Sequence, residues 1–303
     1  MESSMHKKKL TKRERLDEIY AYLFIFPLFF VFVVFIAVPF FMSFYISLTD
    51  YNMALDMQFI GFGNYEYIFR NFTSNYFVKS FLNVALYALM YLPIVLVSGV
   101  LVAVLVNARI RGTYVFKILF YLPCITSSIA VGYIWNWIFN PSLGPINTIL
   151  GKLGLWQPQW LSDPNLALFC IVLVTSWGAL GGNVLIFSAA LKGVPPDYYE
   201  AATIDGAGSV RQFLSITVPL ISPTIYFVFI TSLISTFQLF DQVLVLTNGG
   251  PAGATMTPVL FIYWNAFVEF EGGIASAMSV ILFLVIMVIT VITQRFVKED
   301  KSV

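Results

Sequence analysis

Residues that commonly carry out enzymatic chemistry are few in this chain of 303 residues. Its one histidine, His6, lies in a polar N-terminal tail, so the chain cannot form a Ser–His pair, a Cys–His pair or a zinc-protease motif. It also has no Gly-x-x-x-x-Gly-Lys-Ser/Thr motif, and so lacks this kind of ATP-binding loop. Cys124 and Cys170 lie in apolar stretches and are expected to be packing residues. The sequence therefore predicts a chain that is not an enzyme and has no metal or cofactor of its own.

Polar and aromatic side chains that interrupt long apolar stretches are the remaining candidates for binding. Asp241 is the one acidic residue in these stretches, and Gln238 precedes it by three positions, so a helix would place both on one face. Amide and carboxylate groups can pair with ligand hydroxyl groups. The candidate substrate-path residues are Gln238, Asp241, Asn183, Asn136 and Trp135. The same residue types form hydrogen bonds between helices, and this alternative stays open.

The composition indicates that lipid is the solvent of the chain. Hydrophobic residues make up 59% of it and charged residues only 11%, with a mean hydropathy of +0.83. A typical soluble domain has about 25% charged residues. With so few charges the chain cannot cover a water-facing surface, so we expect a membrane protein in contact with lipid and no nucleic-acid partner.

Six apolar stretches are long enough to cross a bilayer, since a membrane helix needs about 20 mostly apolar residues. A seventh uncharged run is cut by turn-forming residues at 247–253, and its remaining apolar part, 261–267, is too short to span. We therefore predict an all-α polytopic membrane protein with six transmembrane helices. They lie near residues 20–43, 82–106, 115–139, 166–190, 222–246 and 273–294.

The distribution of basic residues predicts the orientation of the chain. Among its 17 Lys and Arg residues, only Arg70, Lys79 and Lys152 lie in the predicted outer segments. Inner loops of membrane proteins carry an excess of Lys and Arg. Both termini are therefore expected to be cytoplasmic.

The predicted inner loop between the fourth and fifth spans has the features of two short helices. Pro195 and Pro196 suit the start of a helix, where a missing amide donor costs little. Asp197 and Glu200 would then oppose the helix dipole. The glycines in 206–208 should end this helix, and we expect the Ser209 side chain to cap the second one.

This loop resembles the EAA loop of the permeases of binding-protein-dependent ABC importers. The resemblance is carried by Glu200-Ala201-Ala202, by Gly206 four residues beyond, and by the later Ile216 and Pro219. In that family the loop docks into the ATPase subunit and transmits its closure to the membrane helices. The resemblance implies the following ATPase-coupling residues: Glu200, Ala201, Ala202, Asp205 and Gly206.

Two further segments resemble the six-span, type I branch that includes sugar and glycerol-phosphate permeases. They are the outer-loop element at 59–65 and the glycine-rich segment at 246–251. The resemblance implies an ABC type I transmembrane core of five helices at 80–294, with an EAA coupling loop at about 193–219. Residues 1–79 would hold the N-terminal tail, the first transmembrane helix and an outer loop, and 295–303 a cytoplasmic tail.

The resemblance also implies a function and a set of partners. The chain would be the permease subunit that moves a sugar or oligosaccharide across a bacterial cell (inner) membrane. It would pair with a second homologous permease and with two ATP-binding subunits, which would hold ATP and magnesium. An extracytoplasmic solute-binding protein would deliver the substrate.

Two alternatives stay open. The first is a glycerol-phosphate permease of the same family. Since no Lys or Arg occupies a span interior, neutral sugars are favoured over this phosphorylated substrate. The second, from a different class, is an ion-coupled secondary carrier. Such a carrier usually shows a relay of ionisable groups inside the membrane, whereas this chain offers Asp241.

Overall fold

The computed structural model describes residues 11–52, 57–70, 76–107 and 113–299, and the described part is helical. Two short π-helical turns, Val33–Ala37 and Phe213–Thr217, interrupt the α-helices. Both turns lie shortly before a proline whose missing amide leaves a carbonyl without its usual partner. The α-helices are α1 Lys12–Phe32, α2 Val38–Ile46, α3 Gly63–Arg70, α4 Tyr76–Asn107, α5 Thr113–Ile125, α6 Ser128–Ile138, α7 Pro145–Lys152, α8 Ala167–Lys192, α9 Asp197–Ile204, α10 Ser209–Gln212, α11 Val218–Leu220, α12 Ser222–Phe237, α13 Asp241–Leu246, α14 Pro258–Phe267 and α15 Gly272–Glu299.

Four helical runs of the described chain are long and apolar enough to cross a membrane: Lys12–Ile46, Tyr76–Asn107, Ala167–Lys192 and Gly272–Arg295. Two bent pairs bring the number to six if each pair is one span. Residues 118–125 and 128–138 meet at 108°, and residues 209–220 and 222–237 meet at 67°. The predicted all-α membrane fold is confirmed, with four to six candidate spans in the described chain.

The outer-loop element at 59–65 attaches the first span to the last one. The Asn64 amide is buried and donates to the backbone carbonyls of Ser47 (2.9 Å) and Thr49 (2.7 Å), just beyond α2. The Tyr65 hydroxyl pairs with the Ser47 hydroxyl at 2.8 Å. A Cβ on Gly273 would lie 2.3 Å from the Thr49 carbonyl oxygen, so the start of α15 needs a glycine there. The element therefore has a structural role in this chain.

The core lies between α4 and α8, which form the most extensive helix–helix interface among the described elements. Glycines let the neighbouring helices approach. A Cβ on Gly181 of α8 would lie 2.6 Å from the Phe120 carbonyl oxygen of α5, and one on Gly132 of α6 would lie 2.8 Å from Val245 of α13. Small residues at such contacts are typical of membrane helices, where close packing replaces the hydrophobic effect.

The fifth span differs from the prediction of one helix over residues 222–246. Helix α12 ends at Phe237, residues 238–240 are not helical, and α13 starts at Asp241. The prediction of continuity was wrong because it rested on the apolar character of the stretch as a whole, and no glycine or proline marks the break at 238–240. The contact that stabilises the gap comes from a residue far along the chain, as described below.

The second inner helix also starts differently from the prediction. Gly208 occupies the N-cap position of α10, and no side chain caps this helix. The predicted Ser209 cap is therefore wrong, because Ser209 lies one residue inside the helix, where its hydroxyl cannot reach the free amides of the first turn. The preceding helix does end as predicted, with Gly206 at a φ of +75° after α9.

We predict that Asn64→Leu destabilises the fold, because it leaves two backbone carbonyls without a partner. Each such loss costs about 1–3 kcal/mol. The thermal midpoint of the purified protein in detergent, followed by tryptophan fluorescence, should fall. Asn265→Leu is the control, because the Asn265 amide bonds only to a carbonyl of its own helix. Equal midpoints for the two variants would contradict the structural role of Asn64.

Candidate functional site

A cavity of about 520 Å³ lies among α4, the bend between α5 and α6, helix α8 and the gap between α12 and α13. Its walls come from four spans that are distant in sequence, so only the folded bundle creates it. Sites in transporters typically lie between helices and use a few polar groups. The polar residues lining the cavity are Tyr87, Tyr91, Thr126, Ser128, Thr175, Ser235, Gln238, Asp241 and Gln242.

The non-helical gap in the fifth span forms one wall of this cavity. Irregular backbone at membrane depth is tolerated where it is buried in protein or lines a cavity. Here the hydroxyl of Thr257, which is 1% exposed, donates to the Leu239 carbonyl at 2.8 Å. Thr257 also caps α14 by accepting from the Leu260 amide at 3.3 Å. One side chain therefore pairs a carbonyl freed by the gap and fixes the start of the next helix.

Hydroxyl groups along the helical walls are mostly occupied by their own helices. Thr126 donates to Leu122, Thr175 to Ile171 and Ser235 to Thr231, each through a backbone carbonyl four residues earlier. Their oxygens keep lone pairs that can accept a bond from a ligand.

The three polar side chains at the gap are different. Those of Gln238, Asp241 and Gln242 have no hydrogen-bond partner within the part of the chain that the structure describes. They are available as donors and acceptors toward the cavity, because amide groups offer both and a carboxylate accepts. The arrangement can bind a ligand rich in hydroxyl groups.

The structure brings two of the five predicted substrate-path residues to this cavity. Gln238 and Asp241 both line it, although Gln238 caps the end of α12 and Asp241 begins α13, so they do not share one helix face. The shared-face interpretation was wrong because it assumed a continuous helix.

The other three predicted residues lie elsewhere. Asn136 is within 3.5 Å of the Leu246 carbonyl and lines a second cavity of about 440 Å³ beside the glycine-rich segment. Trp135 packs its ring between Phe139 and Trp177 in the core. Asn183 lies on α8, close to where α4 approaches at Gly99.

Sequence reasoning missed the tyrosines of the second span. The rings of Tyr87 and Tyr91 stack with centroids 5.1 Å apart and both line the cavity. Their spacing of four residues places them on one helix face. That spacing was the available signal, but it is indistinguishable from ordinary aromatic packing in a chain with 17% aromatic residues.

The predicted coupling residues lie on an exposed helical hairpin, which we define as residues 197–220. Glu200, Ala201, Asp205 and Gly206 are exposed and Ala202 is half-buried. The hairpin continues into α12 through the 67° bend, and the gap lies at the other end of α12. Since α12 has 16 residues, about 24 Å separate the two ends.

Side-chain hydrogen bonds close the two arms of the hairpin on each other. The Gln212 amide donates to the Thr203 hydroxyl and to the Ala207 carbonyl, both at 3.0 Å. The Tyr199 hydroxyl pairs with the Thr217 hydroxyl at 2.9 Å. These bonds connect α9 to the run that leads into α12, so a displacement of α9 would be passed to the fifth span.

Large apolar side chains are exposed on this polar hairpin. Ile204 is 86% exposed and Val210 is 73% exposed. Tyr198 and Leu214 are also more than half exposed. Apolar residues with this much free surface at the end of a span are typical of a protein-docking surface.

Several apolar spans around a polar cavity, with an exposed hairpin attached to a cavity-lining span, are the features of a membrane permease. A family comparison agrees: residues 67–300 match the model of the binding-protein-dependent transport system inner membrane component. The chain belongs to this family. Its recognition from the sequence as an ABC importer permease is confirmed, and it is a transport component of the inner membrane.

Individual relatives extend the comparison over nearly the whole chain. The chain is 35% identical over 287 residues to the probable starch degradation products transport system permease protein AmyD of Thermoanaerobacterium thermosulfurigenes, covering 94% of this chain and 96% of that one. It is 33% identical over 246 residues to the sn-glycerol-3-phosphate transport system permease protein UgpA of Yersinia pestis, covering 81% and 82%.

A solved structure shows the same fold. It is a chain of a bacterial alginate ABC transporter in complex with an alginate pentasaccharide-bound periplasmic protein, with a TM-score of 0.84 and 20% sequence identity. The match covers 96% of this chain and 98% of that chain.

We predict that Thr257→Val weakens the gap in the fifth span, because it removes a hydroxyl at nearly constant volume and leaves the buried Leu239 carbonyl unpaired. The cost should be about 1–3 kcal/mol. Both the thermal midpoint and the transport rate of the assembled complex should fall. Thr257→Ser keeps the hydroxyl and should resemble the wild type, so equal losses in both variants would argue against this hydrogen bond.

Proposed function

We propose that this chain is the permease subunit of an importer that carries a sugar or oligosaccharide inward and is driven by ATP hydrolysis on other subunits. The observation that carries the proposal is the exposed hairpin with Glu200-Ala201-Ala202 at one end of α12 and the polar cavity at the other. An ATP-binding subunit that moves the hairpin can then change the shape of the cavity at the other end of α12, about 24 Å away.

The family match and the resemblance of the hairpin to the EAA loop support a set of partners. A second homologous permease completes the path, and two ATP-binding subunits hold ATP and magnesium and dock at Glu200, Ala201, Ala202, Asp205 and Gly206. An extracytoplasmic solute-binding protein delivers the substrate. The basic residues support docking of the hairpin on the inner side: Lys192 ends α8, Arg211 lies in α10 and Arg295 lies near the end of α15. These helix ends lie together, because Leu191 and Phe213 pack on one apolar cluster and the Tyr226 hydroxyl donates to the Thr293 carbonyl. Both termini are then cytoplasmic.

The substrate passes along the cavity that contains Gln238 and Asp241. Asn136 extends this path toward the second cavity, whereas Trp135 and Asn183 line neither of these two cavities. Neutral sugars fit better than glycerol phosphate, because no Lys, Arg or His is among the described residues that line the main cavity. The division into a core at 80–294, with 1–79 and 295–303 outside it, remains a prediction.

Reconstitution tests this function directly. The chain, its partner permease and the ATP-binding subunits would be placed in proteoliposomes with the binding protein and a radiolabelled sugar. Uptake should require ATP and every partner. Uptake by this chain alone on an ion gradient would contradict the proposal and support a secondary carrier.

We predict that Glu200→Lys and Gly206→Arg uncouple ATP hydrolysis from transport. The first reverses the charge on the exposed face of α9. The second forces a bulky residue into a φ of +75°, a conformation that costs a non-glycine residue about 1–3 kcal/mol. Sugar uptake should fall at least about tenfold, while ATP hydrolysis by the complex persists, since a loss of about 1.4 kcal/mol of coupling already gives that factor.

A matched pair of glycines separates docking from general damage to the hairpin. Gly208 has a negative φ and open space around its Cα, so Gly208→Ala should leave uptake unchanged. Gly206→Ala adds the same methyl group to the strained position and should lower uptake. Unimpaired uptake in the Glu200 and Gly206 variants would count against docking at the hairpin.

A further inference from the structure

Tyr91 has a hydroxyl group at the cavity that the described part of the chain does not use. The residue is 7% exposed and lines the main cavity. Its hydroxyl has no hydrogen-bond partner in the described part of the chain. A tyrosine hydroxyl can both donate and accept, so one that lies at a cavity and has no partner in the described chain is available to a ligand.

Tyr87 shows what a structural tyrosine in the same place does. Its ring stacks on that of Tyr91 at an interplanar angle of 16°, and its hydroxyl donates to the Thr175 hydroxyl at 2.8 Å. Thr175 in turn donates to the Ile171 carbonyl at 2.8 Å. These two hydrogen bonds hold the Tyr87 ring against α8. The Tyr91 ring is positioned by stacking on Tyr87, and its hydroxyl makes no hydrogen bond within the described chain.

The opposite wall offers a complementary set of groups. Asp241, Gln238 and Gln242 have no hydrogen-bond partner among the residues described, and the gap in the fifth span brings all three to the cavity. The Asp241 carboxylate can accept hydrogen bonds from ligand hydroxyl groups. A phosphate or carboxylate on a ligand would be repelled by the negative charge of Asp241, and no Lys or Arg among the described lining residues would offset that charge. Like charges in such an environment repel.

We propose that Tyr91 and Asp241 recognise the substrate as an uncharged saccharide: the Tyr91 hydroxyl bonds to a sugar oxygen, and the Asp241 carboxylate accepts from sugar hydroxyls and rejects anionic sugars. This inference rests on the proposed function, because it assigns substrate class and contacts to the same cavity. It adds a contact residue in the second span and makes Asp241 a determinant of specificity.

Direct binding to the assembled transporter tests the proposal without the selectivity of the binding protein. The complex in lipid nanodiscs would be titrated with maltotriose, which is neutral, and with trigalacturonate, which has the same number of rings and three carboxylates. Saturation-transfer difference NMR reads the binding of both. The wild type should bind maltotriose and not trigalacturonate. Tyr91→Phe should weaken maltotriose binding about two- to tenfold, the loss of one hydrogen bond, with an unchanged thermal midpoint.

Two further variants complete the test. Tyr226→Phe is the matched control: it removes a hydroxyl that donates to the Thr293 carbonyl away from the cavity, so the thermal midpoint should fall while maltotriose affinity stays within about twofold of the wild type. Asp241→Asn removes the charge and keeps the shape, so trigalacturonate should begin to bind.

Three results would overturn the inference. They are wild-type affinity of Tyr91→Phe, equal binding of the two probes by the wild type, and no binding of either probe. Each of these leaves the proposed function standing if uptake in the reconstituted system still requires ATP and all partners. Loss of that requirement would instead remove the proposed function.

Discussion

Inside a bilayer, every backbone amide and carbonyl must find its hydrogen-bond partner within the protein. In the gap of the fifth span, a side chain from a later part of the chain supplies such a partner. The buried Thr257 hydroxyl pairs with the Leu239 carbonyl and caps the following helix. The gap can therefore persist as a defined structure rather than close into a longer helix. It brings Gln238 and Asp241 to the cavity, and Thr257, which follows the glycine-rich segment in the chain, stabilises it.

The fifth span thereby connects the two regions that carry function. At one end the hairpin is closed by the bonds of Gln212 and Tyr199, and at the other end the gap lines the cavity. Coupling between distant sites needs an element with two discrete arrangements that both sites bias. Helix α12 is suited to this role, because it is one continuous helix bounded by a 67° bend at one end and a non-helical gap at the other, so it can move as a unit.

The sequence predicted the fold from hydropathy and the hairpin from a local motif, because both depend on residues that are close together in the chain. The cavity depends on residues that are far apart. Gln238 and Asp241 were selected for a shared helix face that does not exist, and they meet the cavity through the gap instead. The gap was not predictable because its stabilising partner lies 18 residues later. Tyr91 was missed because only the structure shows that its hydroxyl lacks the partner that Tyr87 has.

The native cysteines allow the most direct test of the central claim, that movement of the hairpin changes access to the cavity. Cys124 is exposed and lines the cavity, whereas Cys170 is fully buried and should not react with a thiol reagent. In the complex assembled with the ATP-binding subunits, the rate at which a membrane-impermeant maleimide labels Cys124 would be measured from each side of the membrane, with and without a non-hydrolysable ATP analogue. We expect the analogue to move the labelling from the inner side to the outer side. Labelling that is the same in both states would contradict the account.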